Sequence, residues 1–96
     1  MLVLITYDVE TMTAAGKKRL RLMARECKNY GIRVQNSVFE CVLDTSQFIK
    51  LKARISSIIE PTSDSVRFYL LGSKWERKIE MLGRNYTIDV ESELIV

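Results

Sequence analysis

The residues most able to do chemistry are Tyr7 and Asp8, at the end of the apolar run Leu2–Val9. A carboxylate where a strand ends can hold a metal ion. One carboxylate alone is a poor site, because Mg²⁺ takes six oxygen ligands in octahedral geometry and binds through one or two carboxylates plus waters and phosphates. A twofold axis that sets two Asp8 side chains around one ion removes that difficulty. Glu10, Glu40 and Asp44 are the acids that a site within one chain would use instead. The plain structural alternative is that Asp8 bonds the backbone of its following loop, as aspartates do in turns.

A second constellation is cationic. Seven of the fifteen Lys and Arg residues fall between positions 17 and 33, with only Glu26 opposing them. On a helical wheel with Lys17 at zero, Lys28, Arg21, Arg25 and Lys18 fall at about 20°, 40°, 80° and 100°. Leu20, Met23, Cys27 and Tyr30 fall at about 220–300°, on the other side. Like charges four residues apart repel by a few tenths of a kcal/mol. Binding to a phosphate backbone by Lys17, Lys18, Arg21, Arg25 and Lys28, with Arg33 beyond them, would account for that arrangement. A solvated helix face is the other reading. Lys74, Arg77 and Lys78 are a separate set of cations that nucleic acid would use if the helix does not.

Composition removes several chemistries. The chain has no histidine, so Ser-His-Asp and Cys-His catalysis are absent. Cys27 and Cys41 are separated by thirteen intervening residues, in apolar surroundings and with no Cys-x-x-Cys spacing for zinc. They are expected to be reduced, buried thiols of a cytoplasmic protein. There is no glycine-rich phosphate loop, and the strands lack the aromatic pattern of an RNA-recognition motif. No apolar run approaches the ~20 residues of a membrane span, so no membrane partner is expected. The first residues carry no basic segment and Asp8 interrupts them, so no signal peptide is expected. Fifteen cations against twelve acids give a net charge of +3, too small to identify a nucleic-acid protein without the clustering.

These side chains need elements to place them. Residues 2–9 read as a central strand, apolar on both faces. Residues 14–30 read as an amphipathic helix, with Thr13 as N-cap and Gly31 after its end. Ile32 to Leu43 reads as a strand whose apolar phase switches around Gln35-Asn36-Ser37, which implies a bulge or a bend. Asp44 or Thr45 caps a second helix running to Ile59, before Pro61. Ser65–Leu71 and residues 77–82 read as further strands. The tail Asn85–Val96 alternates aliphatic and acidic residues, either as a frayed end or as a strand added to another subunit's sheet. The order is read as βαββαβ plus a tail strand: an α+β, ferredoxin-like fold with both helices on one face of an antiparallel sheet. Residues 1–82 are read as the domain and residues 83–96 as a C-terminal strand or tail for dimerisation. With 96 residues the chain buries only roughly 60–65 % of its unfolded surface, so association would stabilise it.

The strand end Tyr7-Asp8-Val9, the basic helix after it, and the run Asn29-Tyr30-Gly31-Ile32-Arg33-Val34-Gln35-Asn36-Ser37-Val38-Phe39-Glu40-Cys41 resemble the CRISPR-associated protein 2 family. So does Arg67-Phe68-Tyr69-Leu70-Leu71-Gly72, and the flavour is that of subtype I-C members. The resemblance spans essentially the whole chain. It implies a ferredoxin-like homodimer in which each C-terminal strand completes the partner's sheet. It also implies that Asp8 matches the family's metal aspartate, facing its twin across the axis around Mg²⁺ or Mn²⁺. Tyr7, Arg33, Ser37 and Phe39 become supporting or substrate-positioning residues by family position, with core packing as the alternative for Tyr7 and Phe39. The function implied is a metal-dependent endonuclease, on double-stranded DNA in preference to RNA, that takes part in spacer acquisition. The alternative is a non-catalytic adaptor that holds DNA between dimers of the integrase, CRISPR-associated protein 1. A ferredoxin-like ligand-sensing module is a weaker third reading, since the chain has no glycine-rich ligand loop.

Overall fold

The computed structural model describes residues 1–83. Its elements are β1 (Leu2–Asp8), α1 (Ala14–Lys28), β2 (Gly31–Gln35), β3 (Val38–Val42), α2 (Thr45–Ile58) and β4 (Ser65–Gly72). A 3-10 turn, Trp75–Arg77, follows. The strands form one four-stranded sheet in the order β2-β3-β1-β4, and every pairing is antiparallel. This is the expected α+β, ferredoxin-like arrangement.

Strand alternation explains the layers. Val3, Ile5 and Tyr7 of β1 are buried with Phe39 and Cys41 of β3. Met23 and Cys27 of α1 and Leu51 and Ile55 of α2 complete that core. Burying each of the Val, Ile, Leu, Met and Phe side chains among them is worth roughly 1.5–3 kcal/mol. Phe48 of α2 meets Phe68 of β4 edge-on, with centroids 5.6 Å apart, and so seats α2 on that strand. The alternate residues Leu4, Thr6 and Asp8 lie on the sheet face that the helices leave open. Val38, Glu40 and Val42 of β3 and Arg67 and Tyr69 of β4 share it by register.

Both helix starts follow their sequence signals. Thr13 Oγ1 accepts from the Gly16 N–H at 3.0 Å. Asp44 accepts from the Gln47 N–H at 2.7 Å while the Gln47 side chain accepts from the Asp44 N–H at 3.0 Å, a full capping box.

Two expectations need correction. The segment 32–43 is two strands, not one irregular strand. Its phase switch has two causes: the chain reverses at Asn36-Ser37, and the register shifts between Arg33 and Gln35. Residues 77–82 form no strand. Among the described residues the last strand of the sheet is β4, which ends at Gly72, whose φ of +80° suits a glycine, and the 3-10 turn Trp75–Arg77 follows. Lys78 Nζ then donates to the Leu71 carbonyl at 2.9 Å. The expected tail strand lies outside the described residues.

Candidate carboxylate site and nucleic-acid interface

Asp8 is the last residue of β1, paired in register with Ser65, the first of β4. It is exposed. Thr6, Tyr7, Asp8, Ser65, Arg67 and Tyr69 line one shallow depression there. Arg67 Nη1 donates to Tyr69 Oη at 3.3 Å. Among the described residues, no ion pair engages Asp8 or Arg67.

The loops around Asp8 are held by a buried ion pair that sequence reading missed. Arg19 Nε lies 2.7 Å from Asp64 Oδ2, and the Asp64 side chain is fully buried. The same carboxylate accepts from the Glu10 N–H at 3.0 Å and the Glu60 N–H at 2.9 Å. Arg19, and then the backbone donors, hold its pKa down to about 2 against the opposing effect of burial. Asp64 thus ties the segment just after Asp8 to the segment just before Ser65. A signal for Arg19 was present. On the wheel it falls at about 200°, beside the apolar stripe and away from the other cations.

The acids available for a site within one chain do not converge. Glu10 Oε1 accepts from the N–H and hydroxyl of Thr13, each at 3.2 Å. Asp44 is taken up in the cap of α2. Glu40 sits on the open sheet face opposite Leu4, where burial raises its carboxyl pKa. Among the described residues, no group of three or more His, Cys, Asp or Glu side chains could hold a metal. The single-chain alternative is therefore set aside.

The cations of α1 lie on the helix layer. Lys17, Lys18, Arg21, Arg25 and Lys28 are all exposed, as is Arg33 on β2. The row from Lys17 to Lys28 is about 16 Å long at helical rise. Lys18, Arg21, Leu22 and Arg25 line one depression. A second groove, between α1 and β2, is lined by Leu20, Arg21, Ala24, Arg25, Lys28, Asn29 and Arg33. Glu26 is turned to the other flank, 2.8 Å from Arg54 Nη2. The arrangement can hold a run of phosphates.

Known proteins share the sequence and fold of this chain. Residues 1–79 match the family model for CRISPR associated protein Cas2. The CRISPR-associated endonuclease Cas2 of Halalkalibacterium halodurans is 52 % identical over 95 residues, covering 99 % of each chain. The CRISPR-associated endoribonuclease Cas2 of Chlorobaculum tepidum is 50 % identical over 96 residues, covering all of both. The crystal structure of Streptococcus pyogenes Cas2 at pH 6.5 superposes with a TM-score of 0.76 at 55 % identity, covering 86 % of this chain and 100 % of that one.

The chain belongs to the Cas2 family.

The remaining residues matched by resemblance to the Cas2 family fall in different places. Tyr7 faces the core and stacks on Phe39, with centroids 6.2 Å apart and planes 21° apart. Phe39 is 0 % exposed, a core residue and not part of the depression around Asp8. Arg33 lies over the Phe39 ring at 5.3 Å from its centroid. Tyr7 Oη is buried and has no hydrogen-bond partner among the described residues. Burial raises its pKa, and the nearby Arg33 guanidinium opposes that shift. Ser37 acts through its backbone: its carbonyl accepts from the Tyr7 N–H at 3.1 Å. That bond ties the β2–β3 turn to β1 one residue before Asp8.

Both cysteines are free and buried, as expected. Burial first of all pushes Cys27 up to about 12 and Cys41 to about 11, so neither supplies a thiolate nucleophile. Among the described residues, no helix is long and apolar enough to cross a membrane.

Proposed function

We propose that this Cas2-family chain works as a cytoplasmic homodimer, hydrolyses phosphodiester bonds in double-stranded DNA, and takes part in spacer acquisition beside CRISPR-associated protein 1. The observation that carries the reading is Asp8: an exposed carboxylate at a strand end, free of ion pairs among the described residues, while Glu10 and Asp44 are engaged.

The open sheet face supports pairing. It carries Leu4, Ile32, Val38 and Val42, with Val42 44 % and Tyr69 42 % exposed. A second copy that covers the aliphatic residues Leu4, Val38 and Val42 would bring two Asp8 side chains near one axis. The segment 83–96, taken as a unit separate from 1–82, would extend the partner's sheet.

The donors suit a hard cation. Asp8 has the hydroxyl residues Thr6 and Ser65 in its depression, whereas nitrogen and sulfur donors are missing: the chain has no histidine and its thiols are buried. Mg²⁺ or Mn²⁺ held by two Asp8 carboxylates would lower the pKa of water and offset charge on the phosphate. The cations of α1 hold the duplex backbone and set its register. Asp64 and Arg19 fix the loop after Asp8. In hydrolysis a water oxygen bonds to phosphorus as the bond to the leaving oxygen breaks. Protons exchange with solvent, since the chain has no histidine to carry them.

The test is cleavage of duplex DNA by purified protein with Mg²⁺, compared with Asp8→Ala. Loss in the variant supports the reading; equal cleavage contradicts it. The adaptor reading draws on a different observation: the α1 cations sit on the helix layer, apart from Asp8 on the open face. If Asp8→Ala still supports spacer acquisition in cells, the DNA-holding role accounts for function there. If acquisition is abolished, the purely non-catalytic reading fails.

A further inference from the structure

The depression that contains Asp8 also contains a guanidinium. We infer that Arg67, steadied by Tyr69, is the phosphate-binding arm of this site and takes a non-bridging oxygen of a nucleic-acid phosphodiester. The inference deepens the nuclease reading and rests on it for its role in cleavage.

Register brings Arg67 there. Thr6 pairs with Arg67, and Asp8 with Ser65, so Arg67 and Asp8 are diagonal neighbours on one face. Diagonal neighbours of this kind are about 7–8 Å apart. Strand geometry therefore sets an anion and a cation on one surface, and the two do not close into an ion pair. A phosphate that bridges a carboxylate-held cation and a guanidinium needs such a gap.

The chemistry of Arg67 fits the task. A guanidinium presents a planar fork of donors that matches two oxygens of a phosphate. Tyr69 Oη accepts one N–H at 3.3 Å and leaves most of the donors free. Its neighbour on the strand, Phe68, points the other way and packs against Phe48, so the backbone beneath Arg67 is anchored in the core. Thr6 and Ser65 line the same depression. Among the described residues, no carboxylate neutralises Arg67 by an ion pair.

This cation is distinct from those of α1. They stand on the helix layer, whereas Arg67 stands on the open face with Asp8. The two sets should therefore separate in kinetics. Lys17, Arg21 and Arg25 would govern duplex affinity, and Arg67 the rate of the chemical step.

The test has two arms. In the first, thymidine 3′,5′-bisphosphate is titrated into the dimer while the side-chain Nε–Hε resonance of Arg67 is followed by NMR, with and without Mg²⁺. A saturable shift of that resonance, with weaker probe binding in Arg67→Met and partial recovery in Arg67→Lys, is expected. A resonance that stays fixed at saturating probe, or undiminished binding in Arg67→Met, overturns the assignment. In the second arm, Arg67→Met should lower kcat for duplex cleavage by about a hundredfold, with KM within about twofold. A loss confined to KM would make Arg67 another backbone contact and overturn the kinetic role. If Asp8→Ala cleaves like the parent, the metal-nuclease reading fails, and the first arm still decides whether Arg67 binds phosphate.

Discussion

Arg19 and Asp64, forty-five positions apart in sequence, meet at 2.7 Å beneath the loop that follows Asp8. The pair joins α1 to the entry of β4, and two backbone N–H groups complete the coordination of the carboxylate. Replacing Asp64 with Ala leaves both N–H groups and Arg19 without their partner. We expect a loss on the order of 3 kcal/mol in unfolding free energy by urea denaturation. Arg19→Lys, which keeps charge without the fork, should lose less.

Acid should act through the same pair. The Asp64 pKa is lowered in the folded chain from 3.8 to about 2, because of Arg19 first. A carboxylate depressed in the folded state contributes stability above its unfolded pKa and loses it as pH falls toward the folded value. Stability should therefore drop between about pH 4 and pH 2. Asp64→Asn should flatten that part of the curve, as measured by thermal melts across the range.

The α1 cations predict salt behaviour. Neutralising Lys17, Arg21 and Arg25 together should reduce the slope of log affinity against log salt by roughly one unit for each phosphate no longer neutralised. Fluorescence anisotropy with a short duplex measures it. An unchanged slope would move the duplex to Lys74, Arg77 and Lys78.

The thiols should be silent in the native protein. With pKa values pushed to about 12 and 11 by burial, Cys27 and Cys41 should resist iodoacetamide at pH 8 and react on unfolding. Mass spectrometry of native and urea-treated samples checks this.

Much of this arrangement is legible in the chain. The apolar run before Asp8, the caps at Thr13 and Asp44, and the opposed stripes of α1 are local patterns, and local patterns survive folding. The Asn36-Ser37 reversal shows in the sequence as a phase switch and not as a turn, because a bulge and a hairpin both change apolar phase and here both occur together. The apolar positions Ile79 and Met81 suggest a strand at 77–82 that the structure lacks: the chain leaves β4 at Gly72 and forms the 3-10 turn Trp75–Arg77, and two alternating apolar residues are too weak a signal to tell a strand from such a segment. Asp64 and Arg67 carry no such local signal. Their importance comes from partners brought close by the antiparallel pairing of β1 and β4, which no short window of sequence contains.

The central claim is that two Asp8 carboxylates from two chains share one divalent ion. Mn²⁺ titration by calorimetry, with the oligomeric state fixed by sedimentation, tests it most directly. We predict one ion per two chains, with binding lost in Asp8→Ala. A monomer in solution, or metal binding that Asp8→Ala leaves unchanged, would contradict it.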